Sequence, residues 1–165
     1  MESWLEICRQ VGNDGLRERQ DGVKSRKSPV NACRRGGEYI FPADTPRPTY
    51  ASQCQALTPA KKDHLQLKIP QSQVWQQTLK RLEIAWVDMY RRGFGFPRFK
   101  KKGRFRSFVF PKVKENVIEG NQIDLPKLWK LRFFKSRSLS EGFVVKQVQI
   151  LKRASGYYMI LSGTS

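Results

Sequence analysis

Residues that ligate metals or form disulfides are scarce in this chain. Its 165 residues include three cysteines, Cys8, Cys33 and Cys54, and a single histidine, His64. Odd in number and more than twenty residues apart, the cysteines fit neither a disulfide framework nor a zinc site. Small, indifferent thiols in a reducing compartment are the simpler expectation. Long apolar runs are missing as well. Phe143 to Val145 and Tyr157 to Leu161 fall far below the roughly twenty residues that a spanning helix needs. The opening MESWLEICRQ lacks the basic flank and apolar block of a signal peptide, so a cytoplasmic protein without membrane contact is expected. Carboxylates are few, 14 against 32 Lys and Arg. They are scattered, whereas two-metal nucleases need acids clustered on strands. Glu83, Asp88 and Glu115 suit ion pairing as well as metal binding. His64, in KKDH beside Asp63, has no serine or cysteine at motif spacing to act as nucleophile. GFGFP has neither the GxGxxG nor the GxxxxGK[ST] pattern of a phosphate loop. No catalytic residue, metal or cofactor is expected.

Positive charge is abundant, and it is concentrated. The formal charge is +18, and the 24 residues from Arg91 to Lys114, RRGFGFPRFKKKGRFRSFVFPKVK, hold ten Lys or Arg, six Phe and no carboxylate. Such a field attracts a polyanion and weakens with salt. Phosphate contact is the expected role of Arg91, Arg92, Arg98, Lys100, Lys101, Lys102, Arg104 and Arg106, with a solvated, solubilising loop as the plainer reading. For Phe94, Phe96, Phe99, Phe105, Phe108 and Phe110 the order reverses: core packing comes before a base platform.

Helical spacing of Trp4, Cys8, Val11 and Leu16 predicts a helix over Ser3 to Arg19, weakened by Gly12 and Gly15. Asp21 to Pro48 is polar and punctuated, and reads as an irregular connection. Thr49 to Leu57 has a short helical pattern on Tyr50, Cys54 and Leu57, with Thr58-Pro59 starting a further turn. The clearest helix runs from Ser72, a plausible N-cap, to about Arg91. Its Trp75, Leu79, Leu82, Trp86 and Met89 form one packing stripe, and Gly93 and Gly95 stop it. Gln73, Gln76, Gln77 and Lys80 fall largely outside the stripe and could meet base edges, although surface glutamines are usually just solvated.

Past Gly103 the period becomes alternating. Phe105 to Phe110, Gln122 to Leu125, Leu131 to Phe134, Val144 to Lys152 and Tyr157 to Ser162 read as strands, the last two as a hairpin about Ala154-Ser155-Gly156 with a bulge near Gln147. The expected fold is α+β: a helical region over 1–103, then a small antiparallel sheet or incomplete barrel over 104–165.

GFGFPRFKKKGRFRSFVFP, the QxxLKRLExAW helix before it, and IDLPKLWKLRF and VVKQVQILKRASGYY after it closely resemble the OrfB/TnpB family of insertion-sequence proteins, relatives of the type V CRISPR effectors. Together with NDGLRER and SRKSPVNACRR…EYIFPADTP upstream, the resemblance covers nearly the whole chain. It implies the N-terminal part of an RNA-guided DNA nuclease, with recognition helices and a wedge-like β-barrel that grip guide RNA and target DNA. DNA and structured RNA are the implied partners, and a separate nuclease half is a further one that the resemblance leaves open. By motif alignment Tyr50, Gln76 and, less closely, Cys54 match the family's readers of a short DNA motif. Ser72 and Gln73 hold neighbouring reader positions with other side chains, and Phe110 falls where the first wedge strand nears that DNA. The family's first strand has no counterpart ahead of Met1, and the chain stops at LSGTS, about where the RuvC-like acids and CxxC pairs would follow. The resemblance therefore implies a non-catalytic, truncated chain. A stand-alone DNA-binding regulator using the Ser72 helix in a major groove and a non-functional remnant are the alternatives.

Overall fold

A computed structural model of the chain describes residues 1–27 and 46–165. Among the described residues three helices come first: α1, Glu2–Lys27; α2, Tyr50–Asp63, followed by a 3₁₀ turn at Leu65–Lys68; and α3, Ser72–Arg92. Six strands follow: β1, Ser107–Phe110; β2, Ile118–Glu119; β3, Gln122–Leu125; β4, Trp129–Arg132; β5, Val144–Arg153; and β6, Gly156–Thr164. They form two antiparallel sheets, β1-β5-β6 and β2-β3-β4, and no closed barrel. The α+β expectation holds.

Helix α1 runs eight residues past Arg19, so the expected connection over 21–48 begins as helix; residues 28–45, with Cys33, lie outside the described residues. Thr49 caps α2 reciprocally: Ser52 N–H donates to Thr49 Oγ1 at 3.2 Å and Thr49 N–H to Ser52 Oγ at 2.9 Å. The turn expected at Thr58-Pro59 is instead continuous helix. Pro59 removes one helical hydrogen bond, but the residue four before it, Gln55, is exposed and water can take the missing donor's place. In α3 the N-cap is Gln71, not Ser72, whose hydroxyl accepts from Lys61 Nζ. Gly93 ends the helix at φ 66°, a left-handed conformation that costs glycine little.

The first core joins both halves of the chain. Trp4, Leu5 and Cys8 of α1 and Val74 of α3 pack with Phe108 and Phe110 of β1, Ile123 and Leu125 of β3, and Val145, Val148 and Ile150 of β5. The Trp4 ring lies 5.4 Å from Phe108 and 5.7 Å from Phe110. A second core gathers Ile7, Val11, Trp75 and Leu79, with Tyr50, Cys54, Leu57, Leu67 and Leu82 against it. Only the first half of the expected α3 stripe is buried. Trp86 and Met89 lie past the end of the facing helices' apolar positions and are half-exposed. The bulge falls where the alternation breaks: pairing passes from Val145 to Gln147 and skips Lys146. Two strand expectations need correction. β2, two residues long, carries no periodicity to read, and β4 begins at Trp129 rather than Leu131 because the turn after Pro126 is tight.

A buried polar cluster ties the three helices together. Gln53 of α2 donates to Gly15 O and to Glu18, both at 2.9 Å, and accepts from Arg19 at 3.0 and 3.1 Å. Arg19, itself buried, also pairs with Glu83 of α3. This cluster depends on a close crossing at Gly15, where an added Cβ would stand 2.9 Å from Leu79 Cδ2 and 3.1 Å from Leu82 Cδ2. Gly15→Val is expected to cost about 1–3 kcal/mol through overpacking, read as a lower urea midpoint with an unchanged m-value.

Candidate nucleic-acid interface

Arg91 and Arg92 occupy the last turn of α3, where cations complement the helix dipole. The chain then crosses the outside of α1 through Gly93 to Arg106 before entering β1. Two side chains of α1 hold it there. Asn13 makes a reciprocal pair with the main chain of Lys100, Nδ2 donating to Lys100 O and Lys100 N–H donating to Oδ1, both at 2.9 Å. Arg9 donates to the same carbonyl at 3.0 Å while its guanidinium grips Glu6 at 2.6 and 2.9 Å. Arg9 holds the Glu6 carboxyl below the usual range. A turn closes behind this clamp, with Arg104 N–H donating to Lys101 O at 3.0 Å and Gly103 at φ 75°.

The clamp uses backbone only, so the side chains stay available. Arg91, Arg92, Arg98, Lys100, Lys101, Lys102, Arg104 and Arg106 are all exposed. Among the described residues, one of the eight makes an ion pair: Arg92, with Asp88 at 3.4 Å. The phenylalanines divide. Phe108 and Phe110 are buried in the first core and Phe105 packs on its edge, as expected. Phe94, Phe96 and Phe99 are 56%, 47% and 43% exposed, against the expectation of core packing, because the loop passes outside the end of α3 with no facing element to cover them. Phe96 meets Trp86 edge-on at 5.4 Å, Arg92 lies 6.0 Å from the Phe94 ring, and Arg17 lies 6.0 Å from the Phe99 ring. Cations and half-exposed aromatic rings thus alternate along this loop.

The residues aligned with motif reading sit elsewhere. Tyr50 and Cys54 on α2 are half-buried against the second core, and burial raises both their pKa values. Lys80 Nζ stands 5.1 Å from the Tyr50 ring, one helical turn beyond Gln76, so Tyr50 and Gln76 share one side of the α2–α3 pair. Ser72, Gln73 and Gln76 are half-buried, and Gln73 Oε1 is a buried acceptor without a partner among the described residues. Phe110 is 0% exposed, enclosed by Trp4 and Phe108; a base could reach it only if this packing opened. Cys8 is fully buried, which pushes its thiol up to about 11. Arg9, Asn13 and Arg17 are absent from the sequence-level candidates: their roles depend on contacts across more than eighty residues, for which the sequence carries no local signal.

Among the described residues no three of His, Cys, Asp and Glu gather as a metal site, and no helix is long and apolar enough to cross a membrane. No family model matches the chain. A protein of Escherichia coli (strain K12), "Putative RNA-guided DNA endonuclease InsQ", is 36% identical over 99 residues, 60% of this chain. That stretch is 24% of InsQ, so the chain spans about a quarter of that relative's length. This likeness to a protein named as an RNA-guided DNA endonuclease supports reading the chain as a TnpB-like relative.

Proposed function

We propose that this chain binds RNA and DNA backbones through the Arg91–Arg106 surface, as the non-catalytic, nucleic-acid-gripping part of a TnpB-like protein. The observation that carries this reading is a loop clamped by its main chain, with eight exposed cations and one ion pair among them. The likeness to InsQ, by its name an RNA-guided DNA endonuclease, supports guide RNA and target DNA as the polyanions. In this reading residues 1–103 act as the recognition-type region and 104–165 as the wedge-like region. Arg98, Lys100, Lys101 and Lys102 hold phosphates, and Tyr50 with Gln76 approaches base edges.

Each phosphate neutralised releases counterions, so log K falls with log salt at a slope of about −0.9 per contact on duplex DNA. Filter binding of the chain to duplex DNA across a salt series is expected to give a slope of about −4.5 or steeper if at least five of the eight cations engage, and affinity for structured RNA is expected to fall with salt in the same sense. Affinity that ignores salt would sink the reading.

A further inference from the structure

The geometry points to a second contact with nucleic acid, on the β3–β4 hairpin: Trp129 is a stacking site for an unpaired base. Among the described residues, three other than glycine adopt a positive φ: Asn116 at 59°, Lys127 at 61° and Trp129 at 66°. Asparagine tolerates this region. Lys127 is held in it by its ammonium group, which donates to Lys68 O at 2.6 Å. Trp129 has no such reason. A bulky aromatic is a genuine outlier there, and such outliers concentrate at ligand-binding positions. The ring is 77% exposed and, among the described residues, touches no other ring or cation.

The surroundings are firm and positively charged. Leu128 and Leu131 on either side pack against the first core, and Leu128 N–H donates to Leu125 O at 3.1 Å across the turn. Along β4 and just beyond, exposed Lys130, Arg132 and Phe134 alternate with core-packed Leu131 and Phe133. Phe134 is 101% exposed. Residues 127–137, KLWKLRFFKSR, hold five cations and no carboxylate; Lys127 is held on Lys68 O and Lys130 pairs with Glu119 at 3.3 Å, which leaves Arg132, Lys135 and Arg137 without an ion pair among the described residues. An indole held open on a rigid turn among cations suits a single-stranded segment, whose bases stack on aromatic faces while its phosphates meet Lys and Arg. The site lies outside the Arg91–Arg106 surface, and its test does not depend on that surface.

The full chain is titrated at fixed salt with oligouridylate, oligothymidylate and a DNA duplex, each about twelve nucleotides long, following tryptophan fluorescence. Trp4 and Trp75 are 3% and 1% exposed, and the half-exposed Trp86, which meets Phe96 on the Arg91–Arg106 surface, is replaced by phenylalanine in every sample, so quenching reports chiefly on Trp129. Trp129→Gly is expected to abolish most of the quenching and to weaken single-strand binding about fivefold or more, with duplex binding unchanged. It is also expected to raise Tm by about 2–4 °C, because glycine takes up the left-handed backbone without strain. Quenching on either single strand supports the site, and the stronger response names its ligand. If Trp129→Gly binds single strands as well as the parent, or loses single strand and duplex equally, the inference fails. Should that variant fold poorly, Trp129→Phe and Trp129→Lys decide. The Phe form must bind single strands more tightly than the Lys form despite the extra charge on the latter, and the reverse order overturns the site.

Discussion

Replacing Lys100, Lys101 and Lys102 together by glutamine is expected to make the salt dependence of DNA binding shallower by about 2.7 in log K per log salt, about 0.9 for each phosphate no longer neutralised. Affinity at low salt falls more than tenfold, and RNA binding weakens in parallel. Thermal stability stays within about 0.5 kcal/mol of the parent, as for ordinary surface substitutions. The asymmetry follows from how the loop is held. Arg9 and Asn13 bind the carbonyl and amide of Lys100, groups that glutamine also supplies, while the ammonium groups carry no fold-holding contact among the described residues. A binding isotherm series for the triple variant, with a melting curve on the same sample, checks both halves. An unchanged salt slope would move the phosphate contacts elsewhere on the molecule.

Phe110→Ala is expected to destabilise the chain by about 3–5 kcal/mol, the usual cost of truncating a buried aromatic, against a total of about 5–15 kcal/mol for a domain. The ring is wholly enclosed and meets both Trp4 and Phe108, so its removal opens a cavity at the junction of α1, β1 and β5. Urea unfolding followed by circular dichroism reads the destabilisation directly. If Phe110 served chiefly to touch DNA, the variant would keep its unfolding midpoint and bind more weakly. The packing forecasts the opposite order, with any weakening of binding following from unfolding. Phe110→Leu, which refills much of the volume, should recover most of the stability.

These two sites mark the limits of what the sequence could disclose. Elements with a strong local signature were readable: α3 from its four-three apolar spacing and its glycine stop, and the β5–β6 hairpin down to the bulge, where the alternation itself breaks at Gln147. Past Arg19, α1 continues through DGVKSRK, which shows no apolar face, so no periodicity announced it. Within the basic segment the alternating strand pattern placed Phe108 and Phe110 inside. The same composition in a Gly-Phe-Pro loop gave no sign that Phe94, Phe96 and Phe99 would lack a covering element. Exposure is a property of what faces a residue, and in this chain the facing partner is often a hundred positions away. The cations were legible as a group because charge density needs no partner. Asn13, which positions them, was not.

The first core also bears on how the chain is made. Its α1 patch, Trp4, Leu5 and Cys8, is completed by Val145, Val148 and Ile150 near the other end. At about 5–20 residues per second of synthesis, those apolar side chains wait on the order of ten seconds for their partners. Closing a contact across such a separation also carries a large loop-entropy cost, which slows folding. During that interval the growing chain offers a greasy N-terminal helix beside a dense run of positive charge. The N-terminal helix is therefore the part of the first core that stays longest without its partners, and the strands made last are the ones that cover it.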